Sequence, residues 1–119
     1  MRRLTALMLL PILPWLILTP PATAAQSLEG RWWVVIGSSP APESLPRPHP
    51  EADRAAEAAR RCGMEPMGDY SAKFENFAPD LYVAVVGGFT TRAEAEAALA
   101  RLRPCVPGAY LRRGGYGGE

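Results

Sequence analysis

Residues 31–36 read RWWVVI, a run of aromatic and β-branched side chains closed off by Gly30 and Gly37. Such residues fit a pleated, half-buried surface, so the run predicts a strand. A second run, LYVAVV at residues 81–86, ends on Gly87 and Gly88 and predicts another. Between them the period changes. In EADRAAEAARRC, residues 51–62, Ala52, Ala55, Ala56, Ala59 and Cys62 recur at three and four residues and build one small-residue helix face. Gly63 follows where a left-handed cap would sit, and Arg60 and Arg61 occupy the last turn, where cations favour the helix dipole. Beyond the second strand, Thr91 and Glu94 have the spacing of a capping box. Ala95, Ala98, Leu99 and Leu102 then share one face until Pro104 stops the helix at Arg103. Residues 109–113, AYLRR, predict a last strand, and residues 67–71 predict a short, weak one after Pro66. Residues 38–50 hold five prolines and predict an exposed, extended loop.

The predicted order is strand, helix, weak strand, strand, helix, strand, and the halves echo one another: RWWVVIG precedes EAARRC as YVAVVGG precedes EAALARLRPC. Two such halves predict an α+β, ferredoxin-like βαββαβ fold, a four-stranded antiparallel sheet with two helices on one face. Alternation then assigns the faces. With Ile36 and Val86 turned inward, Val34, Ala84 and Tyr82 follow, as do Ala109 and Leu111 on the last strand. Trp33, Val35, Val83, Val85, Tyr110 and Arg112 fall on the opposite face, away from the helices. Two readings of that face stand side by side. Left open, aromatic rings among valines mark a surface for a sugar or a protein partner. Covered by the Pro-rich loop or by residues 64–78, Trp33 is an ordinary core tryptophan.

Residues 1–24 are set apart by their own pattern. Arg2 and Arg3 precede an apolar stretch at 4–18 that is interrupted by Pro11 and Pro14, and Ala22-Thr23-Ala24 follows. A basic start, a short apolar run and small residues at the end predict a secretory signal peptide cleaved after Ala24. Residues 25–30 are a short lead-in, residues 31–113 one domain, and the glycine-rich residues 114–119 a flexible tail.

Without Arg2 and Arg3 the 13 basic side chains become 11 against 12 acidic ones, a formal charge of minus one. That excludes a phosphate-tracking basic surface, so nucleic acid is not an expected partner. Export would bring Cys62 and Cys105 into an oxidising compartment, where a disulfide is the default. Antiparallel helices would hold the two cysteines at opposite ends of the domain, so a bridge requires skewed helices or a reaching loop. The chain has one histidine, His49, between Pro48 and Pro50, which leaves no histidine metal site. Acidic residues fall in helix first turns or on polar faces, and no phosphate-binding glycine pattern occurs. No enzyme activity, metal or cofactor is expected.

LYVAVVGGFTTRAEAEAALARL resembles the second half of a SPOR domain, the sporulation-related repeat of bacterial envelope proteins, and WWVVIGSS resembles that family's first strand. The resemblance covers residues 32–112 and implies a ferredoxin-like fold, a periplasmic or secreted location in the bacterial cell envelope, and binding to peptidoglycan glycan strands on the sheet face away from the helices. It therefore falls on Trp33, Val35, Val83, Val85, Tyr110 and Arg112. The chain departs from the family pattern at Val35, Ser39, Val85 and Gly88, and two of these remove polar groups from that face. The alternative expectation is a small periplasmic protein-interaction or dimerisation module whose apolar open face meets another sheet, in a homodimer or with another envelope protein.

Overall fold

The computed structural model describes residues 30–118, so the expected signal peptide lies outside the described residues. The chain runs β1 (Trp32–Pro40), α1 (Pro50–Arg61), β2 (Met67–Tyr70), β3 (Leu81–Phe89), α2 (Arg92–Leu102) and β4 (Tyr110–Arg113). The strands form one antiparallel sheet in the order β2-β3-β1-β4, which is the ferredoxin-like arrangement.

β1 is longer than its apolar run. Ser38, Ser39 and Pro40, expected in the loop, pair with Val83, Tyr82 and Leu81. A register shift between Val35 and Gly37 makes this extension useful. Such a bulge places one extra residue in the strand and re-aims those that follow. Ile36 and Gly37 thereby both lie under the helices, and Ser39 reaches the start of α1, where its Oγ accepts from Ala52 N at 2.9 Å. Gly37 has no substitute here: a Cβ would stand 2.5 Å from that of Ala55.

α1 begins one residue earlier than its pattern, because Pro50 suits a first helical position, where its missing N–H would be unbonded anyway. α2 carries the capping box as expected: Thr91 Oγ1 accepts from Glu94 N at 3.1 Å, and Glu94 Oε1 accepts from Thr91 N at 3.2 Å. Under the helices lies the first core, built on Val34, Ile36, Tyr82, Ala84, Val86, Ala98 and Leu102. The small residues of α1 and α2 let the helices sit low on the sheet, so much of this core is backbone and alanine.

Cys62 and Cys105 are joined in a disulfide, with Cα atoms 6.0 Å apart. The reach comes from the turn after α2: the N–H groups of Cys105 and Val106 both donate to Leu102 O, which folds the chain back over the helix end. Met64, Leu99 and Cys105 pack together against the core beside it. Cross-linking residues 43 apart in sequence stabilises the domain by about 4 kcal/mol in the chain-entropy account.

Candidate ligand-binding face

The sheet face away from the helices carries the expected residues, and most of them are covered. Trp33, Val35, Val83 and Val85 form a second core with Phe74, and Val85 is fully buried. Trp33 is only 2 % exposed. The cover has two sources. One is the segment between β2 and β3, where Phe74 meets the Trp33 ring edge-on at 5.3 Å and stacks on Phe77 at 4.4 Å. The other is the chain's end, whose Tyr116 ring lies 5.8 Å from Trp33 and 4.7 Å from Phe74.

Residues 114–118, expected as a flexible tail, thus cross the sheet. Gly114 N donates to Arg31 O and continues β4, while Gly114 O accepts from Trp33 Nε1 at 2.9 Å. The tail then pairs with the β2–β3 segment: Glu75 N donates to Gly115 O at 2.9 Å, Gly117 N to Lys73 O at 2.8 Å, and Gly115 N to Glu75 Oε1 at 3.2 Å. The Tyr116 hydroxyl donates to Asp69 Oδ2 at 2.5 Å. Glycine is required at 114, since a Cβ there would stand 2.1 Å from Glu75 O.

Of the two readings of that face, the covered one holds: residues 64–78 supply Phe74 and Phe77, and the tail adds Tyr116. Alternation decides which face a strand residue joins, but says nothing of what else folds onto it. The signal for the cover was present in KFENF, whose Phe74 and Phe77 lie three residues apart, and in Tyr116.

The energy of the tail's cover is near balance. Ordering five residues costs roughly 5–10 kcal/mol of backbone entropy, more per residue for glycine. Partly burying the Tyr116 ring returns roughly 1–2 kcal/mol. The six hydrogen bonds from Trp33, Glu75, Gly114, Gly115, Tyr116 and Gly117 return roughly 1 kcal/mol each.

Of the expected residues, those that remain accessible lie on the β4 rim of this face. Tyr110 is 46 % exposed. The Arg112 guanidinium stands 5.6 Å from the Tyr110 ring centre and 6.0 Å from that of Phe77, and Nη1 donates to Asn76 O at 3.2 Å. The Asn76 side chain in turn donates to Arg113 O at 3.2 Å. Of the six expected residues, the structure leaves Tyr110 and Arg112 within reach of a ligand, and adds Phe77.

Across the sheet the Pro-rich loop is pinned by its own side chains. His49, 1 % exposed, stacks on Tyr82 at 4.1 Å, and Arg47 bonds both the Tyr82 hydroxyl and Asp53 Oδ1, each at 2.8 Å. The Arg47 hydrogen bond holds the Asp53 carboxyl below its ordinary value, and hydrogen bonding with the Ser39 hydroxyl does the same for Glu51. His49 is therefore a packing residue. Arg47, Asp53, Glu57 and Arg60 line a shallow cleft of about 350 Å³ between α1 and β2, with Tyr82 at one end. Among the described residues no cluster of three or more His, Cys, Asp or Glu side chains could hold a metal ion. No described helix is long and apolar enough to cross a membrane.

The SPOR domain family matches residues 28–113, most of the chain and all four strands and both helices described above. The chain belongs to the SPOR domain family. SPOR domains are binding modules of the bacterial cell envelope. No curated protein and no solved structure matches the chain. Within this SPOR domain, the Tyr110–Arg112–Phe77 rim is the part of the expected face that solvent reaches.

Proposed function

We propose that this SPOR domain binds glycan strands of peptidoglycan in the periplasm, and that Tyr110, Arg112 and Phe77 make the first contact. The observation that carries the reading is the exposed Tyr110 ring beside a guanidinium held between two aromatic side chains. A sugar ring presents an apolar C–H face and a polar edge. Tyr110 suits the first, and Arg112, with donors left over from its bond to Asn76 O, suits hydroxyl and acyl oxygens at the second. Export is supported by the basic and apolar pattern of residues 1–24 and fits the Cys62–Cys105 disulfide, since such bonds persist in oxidising compartments. The dimerisation alternative needs Val35, Val83 and Val85 exposed, and all three are buried.

Pelleting of the mature protein with purified peptidoglycan sacculi tests this, before and after enzymatic removal of the stem peptides. The expected result is pelleting above a control protein, reduced at least fivefold in affinity by Tyr110→Ala and by Arg112→Ala, each with unchanged thermal stability. No pelleting above the control would end the proposal.

A further inference from the structure

The glycine-rich tail is the one strongly patterned segment that neither the fold nor the rim accounts for, since the family match ends at residue 113. Its place is specific. Tyr116 sets an aromatic ring against Trp33 and Phe74 while its hydroxyl donates to the largely buried carboxylate of Asp69. An apolar ring set against aromatic side chains, with a hydroxyl donating to a carboxylate at its edge, shares two features with a sugar ring: an apolar face and a hydroxyl donor.

We infer that residues 114–118 are a displaceable cover, an autoinhibitory contact in which Tyr116 occupies the part of the sheet face that a glycan takes when the tail leaves. The inference rests on the proposed glycan binding and deepens it: the rim around Tyr110 and Arg112 gives the first contact, and the Trp33–Phe74–Asp69 floor completes the site. Three features let the tail leave. It lies outside the helices and the four-stranded sheet, after β4, so it can leave the face without breaking either. Four of its five residues are glycine, which regain the most freedom on release. It inserts a single side chain, and water can replace its backbone hydrogen bonds. Phe74 and Phe77 differ in this respect, being tied at both ends by β2 and β3.

The test compares the mature protein with a chain ending at Arg113 and with Tyr116→Ala and Tyr116→Phe. Two readouts are taken: acrylamide quenching of tryptophan fluorescence without ligand, and pelleting with stripped sacculi. Loss of the tail is expected to make Trp33 accessible to quencher and to raise sacculus affinity about fivefold to tenfold, within the usual range for coupling between linked equilibria. Tyr116→Ala should reproduce most of both effects in an otherwise intact chain, which covers the case in which the shortened chain does not fold. Tyr116→Phe, keeping the ring, should stay near the parent protein. Equal affinity for parent and Tyr116→Ala overturns the cover while leaving glycan binding in place. Pelleting by none of the four proteins overturns both.

Discussion

Replacing Trp33 with alanine tests whether the indole belongs to a packed second core. The indole is 2 % exposed, stands edge-on to Phe74 and Tyr116, and donates to Gly114 O. Truncating a buried tryptophan costs about 3–5 kcal/mol, because the surrounding side chains relax only partly into the space. Leaving Gly114 O without its donor adds roughly 1 kcal/mol. Total stability for a domain of this kind is about 5–15 kcal/mol, so the change removes a large share of it. In urea, with a slope of about 1.3 kcal/mol per molar, the midpoint should fall by roughly 3–4.5 M at little change in slope. Equilibrium unfolding followed by far-ultraviolet circular dichroism measures this, with Tyr110→Ala as the comparison. Tyr110 is exposed and should shift the midpoint by less than about 0.5 M, as surface changes usually do. A Trp33→Ala midpoint within about 0.5 M of the parent, together with lost sacculus binding, would refute the second core and restore the open face.

Two further outcomes follow from the stabilising contacts. Changing Cys62 and Cys105 together to serine should cost about 4 kcal/mol in unfolding free energy, and mass analysis after alkylation should find no label without reductant; labelling of both thiols in the unreduced protein would exclude the bridge. Arg47 lowers the Asp53 carboxyl in the folded state, so the stability this pair contributes is present above the ordinary carboxylate value and fades as pH falls below about 4. The gap in melting temperature between the parent and Asp53→Asn should therefore narrow from pH 7 to pH 3 and also shrink in high salt, since both side chains are substantially exposed. A gap independent of pH would discount the pair.

Much of the architecture was legible because it is local. A strand's period, a helix's alanine face, the Thr91–Glu94 cap and the doubled βαβ pattern each depend on residues close in sequence. Face assignment followed from alternation alone, and it placed Trp33 with Tyr110 correctly on the side away from the helices. The bulge between Val35 and Gly37 was not legible, since it answers to pairing with β3 across about 50 residues. The disulfide was undecided for a similar reason: its closure depends on how the chain folds back after Leu102.

The sequence by itself determined the α+β fold, the two-fold repetition and which side chains share each face of the sheet, because those are set by periodicity and short-range sterics. Only the tertiary structure decided what lies on the far face. Whether an apolar face stays open depends on distant segments finding it, here Phe74 and Phe77 from one loop and Tyr116 from the chain's end. That choice turned four of six expected contact residues into core and left Tyr110 and Arg112 at its rim.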